Sequence, residues 1–254
     1  MISRVYGMTR NTSRAKKEEY VDPPDYTGLS VIIPAAGMGR RMKSYGAKGL
    51  ISINGQTLLE RQIKTIWKVY PKAEITIVAG FQSELVSERI RKKYPVRIIV
   101  NTDYEDSNVA RSIFLGLQSC TNKHALLIYG DLVFNSTTIR SLIGDGSKVV
   151  VDSKNKIKDE EVGVLFDKEE VTHFSYAIDT KWCQIAYLAT KEMNLFEDIS
   201  SSVDRARWFG YEIMNEIIDR GGSFDPIEPS GMKIAEIDSP RDLKGALKVA
   251  ITSI

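Results

Sequence analysis

Apolar residues recur along this chain in two rhythms: short β-branched runs, and longer stretches with helical spacing. Val31-Ile32-Ile33 reads as a buried strand. Ile51-Ser52-Ile53 reads as a short strand with a tight turn at Asn54-Gly55. Thr57-Leu58-Leu59-Glu60 fits a capping box, in which Thr57 and Glu60 satisfy each other's free backbone donors. Leu59, Ile63, Ile66, Trp67 and Tyr70 then follow at helical spacing until Pro71. A strand over 75–78, a helix over 83–94 and a strand over 96–100 come next. Val109, Ile113, Phe114 and Leu117 predict another helix, with Asn108 suited to its N-cap. Residues 125–129 are an unbroken apolar run, the mark of a central strand covered on both faces. Strands alternating with helices across short connections predict an α/β fold: a Rossmann-like, mostly parallel mixed sheet with helices on both faces.

From Val149 the rhythm changes. Residues 149–152, 161–166, 171–174 and 184–188 read as strands joined by charged turns, with Asp167-Lys168 a hairpin turn, so a small β-rich part follows the first half. Helices over 191–196 and 203–220 come after it, the second stopped by Gly221-Gly222. A strand over 233–237 leads to Ser239 as N-cap, Pro240 at the first helical position and Asp242 in the first turn. That helix, 242–251, is expected to pack Leu243, Leu247 and Val249 inward. Residues 1–28 look different: Arg4, Arg10, Arg14, Lys16 and Lys17 stand among few apolar residues, and Asp22-Pro23-Pro24-Asp25 closes the segment. They read as a surface-draped or flexible arm, or one that touches a partner subunit, ahead of a single domain at 29–254.

Composition narrows the class. A hydrophobic fraction of 43% over 254 residues supports a sizeable core. A net charge of +2 points to neither nucleic acid nor a membrane surface as the main partner. No apolar run is long enough to span a bilayer. Cys120 and Cys183 are too few for a disulfide framework, which makes a reducing cytoplasm the expected setting. His124 and His173 sit apart among polar neighbours and read as surface or edge residues.

The chemistry concentrates in residues 29–48. The strand ends in small residues (Ala35, Ala36, Gly37, Gly39), and a cationic cluster follows with Arg40, Arg41, Lys43 and then Lys48. Residues without bulk let backbone lie close to a ligand, and successive N–H groups in such a turn form an anion-binding nest. Positive charge beyond them neutralises a polyphosphate. Two familiar motifs fail: Met42 fills the third glycine of a dinucleotide fingerprint, and Lys48-Gly49-Leu50 lacks the hydroxyl residue of a Walker loop. Further on, Asn101 and Asn108 offer amides that suit a base edge, although Asn108 equally suits the N-cap. Gly130-Asp131 ends the central strand, where a carboxylate faces the ligand crevice and suits Mg²⁺ held together with phosphate.

Pro34-Ala35-Ala36-Gly37-Met38-Gly39-Arg40-Arg41 followed by Lys48-Gly49-Leu50 resembles the signature of the sugar-1-phosphate and phosphocholine nucleotidyltransferases. Gly130-Asp131-Leu132-Val133-Phe134 is similar to that family's G-D-x-x-F motif and Glu236-Ile237-Asp238 to its E-I-D, and the run Asn101-x-x-Tyr104-x-x-x-Asn108-x-x-x-Ser112 is similar to one in the phosphocholine cytidylyltransferase branch. The resemblance implies transfer of a nucleoside monophosphate, CTP favoured as donor, to a phosphorylated small molecule with release of pyrophosphate. It implies Arg41 and Lys48 on the phosphates, with Ala35, Ala36, Gly37, Gly39, Gly80, Asn101, Asn108, Ser112 and Gly130 around the nucleotide, and Asp131 and Asp238 on Mg²⁺. It divides the domain into a nucleotide half at 29–148, an acceptor half at 149–232 and a metal strand and helix at 233–254. Asp152, Tyr176, Trp182 and Tyr187 are candidates for the acceptor pocket; core packing is the other reading of the aromatic three. A homo-oligomer is left open. The rival readings are a glycosyltransferase that uses a finished nucleotide sugar and a nucleotide-binding regulatory domain.

Overall fold

The computed structural model describes residues 28–252; the arm expected over 1–28 lies, but for its last residue, outside them. β1 (Ser30–Ala35) leads through 3₁₀ turns at Arg40–Tyr45 and Lys48–Leu50 into a hairpin of β2 (Ser52–Ile53) and β3 (Gln56–Thr57). Then come α1 (Leu58–Val69), β4 (Glu74–Ala79), α2 (Ser83–Arg91), β5 (Arg97–Val100), α3 (Val109–Leu117), β6 (Ala125–Ile128), β7 (Leu132–Phe134), α4 (Ser136–Arg140) and β8 (Lys148–Asp152). β9 (Gly163–Asp167), β10 (Glu170–Ser175), β11 (Lys181–Leu188), α5 (Thr190–Ser200), a 3₁₀ turn at Val203–Arg205, α6 (Gly210–Asp219), β12 (Asp225–Ile227), β13 (Ile234–Glu236) and α7 (Leu243–Thr252) complete the order.

A nine-stranded sheet runs β10-β9-β11-β6-β1-β4-β5, with β8 added to β11 and β12 to β8. Its centre, β6-β1-β4-β5, is parallel, and β11 closes antiparallel on β6. This is the α/β architecture expected from the alternating pattern. Side chains alternate across each strand, so Val31 and Ile33 pack on one face with Ile63 of α1, Ile90 of α2 and Ile139 of α4. Ile32 and Val78 pack on the other with Ile113 of α3, Phe196 of α5 and Ile213 of α6. Each such buried aliphatic or aromatic side chain contributes about 1.5–3 kcal/mol.

A third, smaller cluster decides where the chemistry sits. Met42, Ile51, Leu58, Val133, Ile237 and Ala246 pack together and tie the loop after β1, β7 and α7 into one unit. Within it β7 and β13 pair antiparallel, Glu236 opposite Leu132, and the Ile237 N–H donates to the Asp131 carbonyl at 3.0 Å. This pairing brings the acids of two distant segments side by side.

Several expectations are corrected. The helix over 203–220 is broken, because the Ala206 and Trp208 carbonyls accept from the Asn108 and Ala110 N–H groups at the head of α3. Helical periodicity carries no sign of that cross-contact. In α7 the buried positions are Ala246 and Ala250, with Leu243 and Val249 partly buried; Leu247 is exposed, since a narrow small-residue stripe meets the cluster. β11 begins three residues earlier than the run 184–188 indicated.

Candidate active site

Two adjoining clefts open at the carboxyl ends of the parallel strands. The first, about 280 Å³, is lined by Pro34 to Gly37 and Gly39, by Lys48, by Asn101, Tyr104, Ser107, Asn108, Val109 and Ser112, and by Gly130 and Asp131. The second, about 670 Å³, is lined by Arg41, Tyr129, residues 159–162, Tyr176, Trp182, Phe209, Gly210, Tyr211, Glu236 and Asp238. Val109, Tyr129, Gln184 and Phe209 line both and mark the junction.

The loop after β1 owes its path to its glycines. Gly39 is left-handed at φ 55, and a Cβ on Gly130 would lie 2.8 Å from the Ala35 Cβ, so the ends of β1 and β6 approach as only glycine allows. Gly80 does not line either cleft. A Cβ there would lie 2.7 Å from the Ala36 carbonyl, so Gly80 supports the loop from behind.

Lys48 stands between the two acids. Its Nζ donates to Asp131 Oδ2 at 2.9 Å and to Asp238 Oδ1 at 2.7 Å, and Arg41 Nη2 lies 3.4 Å from the same Asp238 oxygen. Burial works against the Lys48 charge, but the two carboxylates outweigh it and raise its pKa, so the ammonium stays charged. Burial also pushes the Asp238 carboxyl up, yet Lys48 overcomes this and holds it below the usual range. Glu236, absent from the sequence-derived set, joins them: oxygens of Asp131, Glu236 and Asp238 lie within 4.8 Å of one another. Burial, and next the Asp131 charge, raises the Glu236 carboxyl to about 7. Lys181 bridges Glu236 at 3.1 Å and Glu161 at 2.6 Å. Glu236 was legible as the first acid of the Glu-Ile-Asp run, since alternate strand residues share a face. The donor set fits Mg²⁺: three clustered carboxylates are hard oxygen ligands, and Asp131 Oδ1 is buried with no hydrogen-bond partner among the described residues.

On the far wall Asn101 is buried and its amide is spent internally. Nδ2 donates to the Ser107 and Ser112 hydroxyls at 3.0 and 3.1 Å, and Oδ1 accepts from the Asp103 N–H. Both donors of the Asn101 amide are thus taken by serine hydroxyls, while the side chain still lines the cleft. Asn108 caps α3, its Oδ1 accepting from the Val109 N–H at 2.9 Å, and lines the cleft.

Of the expected acceptor residues, Tyr176 and Trp182 line the second cleft, and Trp182 Nε1 is buried with no partner among the described residues. Two are corrected. Tyr187 packs in the core beside His124, because strand pairing with Leu126 sets it well away from the junction. Asp152 is buried outside both clefts and accepts from the Lys154 and Asn155 N–H groups as a turn-forming acid. Sequence reading missed Phe209 and Tyr211, stacked with ring centroids 5.8 Å apart; the expected Tyr176 lies edge-on to Tyr211 at 5.6 Å. Phe209 and Tyr211 fell inside a predicted helix, where aromatics read as core.

Comparison with known proteins supports the family and the fold. The MobA-like NTP transferase domain model matches residues 31–181. The bifunctional protein GlmU of Solibacter usitatus is 31% identical over 123 residues, 47% of this chain and 26% of that protein. The bifunctional IPC transferase and DIPP synthase of Rubrobacter xylanophilus is 23% identical over 222 residues, 85% of this chain and 51% of that one. The chain thus spans about half, or less, of the length of these curated relatives. The inositol-1-phosphate CTP transferase of T. maritima shares the fold with a TM-score of 0.73 at 19% identity, over 87% of this chain and 95% of that one. The CTP:phosphocholine cytidylyltransferase of Streptococcus pneumoniae gives 0.72 at 20%, over 88% and 99%. No described helix is long and apolar enough to cross a membrane. A family match over more than half of the chain, joined to a glycine loop that faces a lysine-bridged pair of acids, makes this chain a member of the MobA-like NTP transferase family.

Proposed function

We propose that the protein transfers a nucleoside monophosphate from an NTP, CTP favoured, to a phosphorylated small molecule and releases pyrophosphate. The observation that carries this reading is the convergence of Asp131 and Asp238 on Lys48, with Glu236 clustered beside the two acids, next to the glycine loop. The nucleotide takes the first cleft, built mostly from residues 29–148, and the acceptor takes the second, built mostly from 149–232 with Asp238 at its edge.

An acceptor phosphate oxygen attacks the α-phosphorus in line. That oxygen is already anionic, so no general base or covalent residue is required, and catalysis reduces to positioning and charge neutralisation. Arg41, exposed and near Asp238, takes the β- and γ-phosphates. Lys48 has three N–H donors and spends two on the carboxylates, which leaves one for the α-phosphate and the incoming phosphate. Ala36, Gly37 and Gly39 turn backbone towards the phosphates, while Asn108 and the Ser107 and Ser112 hydroxyls read the base. Asp131, Glu236 and Asp238 would hold Mg²⁺, which when bound supplies neutralisation of the α-phosphate charge. Tyr176, Trp182, Phe209 and Tyr211 wall the acceptor, whose class spans sugar-1-phosphates, phosphocholine and similar phosphoesters.

Pyrophosphate release, screened with four ribonucleotides against these acceptors in the presence of Mg²⁺, tests the reading. Lys48→Ala and Asp131→Ala should each abolish release while circular dichroism stays native, since losing one such contact costs about 3 kcal/mol or more of barrier. Turnover near wild type in either variant removes the mechanism. Nucleoside diphosphate released from a nucleotide sugar would favour a glycosyltransferase instead.

A further inference from the structure

Five non-glycine residues among those described have positive φ: Asn54, Gln82, Lys168, Ala177 and Gln184. Asn54, Lys168 and Ala177 sit in turns between strands. Gln82 heads α2, and its side chain is used, with Oε1 accepting from the Ala47 N–H at 2.8 Å. Gln184, at φ 57, is different: it interrupts β11 in mid-strand, where the register against β8 jumps between Trp182 and Ala186. A left-handed residue in a strand is costly, and such bulges re-aim a side chain. The bulge carbonyl accepts from the Tyr129 N–H at 3.3 Å, so the kink is fixed to the segment that carries Asp131. The Gln184 side chain has no hydrogen-bond partner among the described residues, is half-buried, and lines both clefts at their junction.

We propose that Gln184 is a substrate-binding residue whose side-chain amide N–H groups grip the attacking phosphate of the acceptor and aim it along the line to the α-phosphorus. This rests on the reading of the two clefts given above. A phosphate only accepts hydrogen bonds, so it takes the NH₂ end of the amide. No proton or bond moves at Gln184: it orients the nucleophile as the acceptor passes from the wall of Trp182 and Tyr176 to the lysine-bridged acids. The strained backbone is held by the strand pairing on either side of the bulge and by the Tyr129 N–H bond.

The test uses the full chain with its NTP, Mg²⁺ and whichever acceptor supports pyrophosphate release in the wild type. Lack of release with every acceptor overturns the reading of the site; only when the wild type turns over is Gln184 itself judged. Gln184→Ala should then raise the acceptor KM about tenfold or more and lower kcat, with the NTP KM and NTP binding by calorimetry within twofold, as expected for loss of a charge-assisted hydrogen bond. Gln184→Gly removes the side chain and relieves the backbone, so its Tm should equal or exceed the wild-type value while its acceptor kinetics fail like those of Gln184→Ala. Unchanged acceptor kinetics in both variants, a defect confined to NTP binding, or a lower Tm for Gln184→Gly overturns the proposal.

Discussion

At the scale of single residues, Lys48 does two things that pull against each other. It is the one described cation hydrogen-bonded to both Asp131 and Asp238, and without it Asp131, Glu236 and Asp238 would face one another half-buried. Removing one partner from such an ion cluster leaves uncompensated charge. Lys48→Met should therefore lower the stability of the metal-free protein by about 2 kcal/mol, read as a fall in Tm. Mg²⁺ should raise the Tm of the variant more than that of the wild type, because the cation replaces the missing ammonium. An equal response in both proteins would mean that the three acids do not share a cation. The identity of Lys48 was readable from its place behind the glycine loop. Its contact with two acids 83 and 190 residues away was not.

At the scale of elements, α1 shows local rules carried intact into the fold. The Thr57 hydroxyl accepts from the Glu60 N–H at 3.2 Å, and Glu60 accepts from the Thr57 N–H at 2.9 Å, as the four-residue pattern required. Thr57→Ala should cost about 1 kcal/mol in a denaturant titration. Burial alone would raise the Glu60 carboxyl, but the Lys93 ammonium, the Thr57 N–H and the Arg89 guanidinium hold it at about 2. An unfolded-state glutamate titrates near 4.3. The contribution of Glu60 is therefore complete above that value and is lost as pH falls towards 2. The stability gap between wild type and Glu60→Gln should close over that window; a constant gap would deny the ionic component. Where elements were misread, the cause was a contact from outside the segment: the partnering of Ala206 and Trp208 with α3 split one helix in two.

At the scale of the whole molecule, the site exists because a small antiparallel pair, β7 and β13, is welded beside the large sheet by a cluster of its own. Ile237 is fully buried in that cluster and lies directly before Asp238. Ile237→Ala should cost about 2–5 kcal/mol of stability. It should also weaken Mg²⁺ binding, measured by calorimetry below the melting temperature, because Asp238 loses its anchor. Intact metal affinity in a destabilised variant would show that the cluster serves stability alone.

Local information was enough for the α/β class, the capped helix, the glycine loop and the four charged residues that meet in the site, because strand and helix periods, caps and small-residue turns are written in a few consecutive positions. The amino acids alone also carried the family resemblance. Tertiary structure alone decided the rest. It tied Asn101 to two serine hydroxyls and sent Tyr187 and Asp152 away from the clefts. It also bent β11 at Gln184. For Tyr187 and Gln184 the physical reason is that strand register and cross-sheet pairing choose which face a side chain takes, and that choice is made by partners far away along the chain.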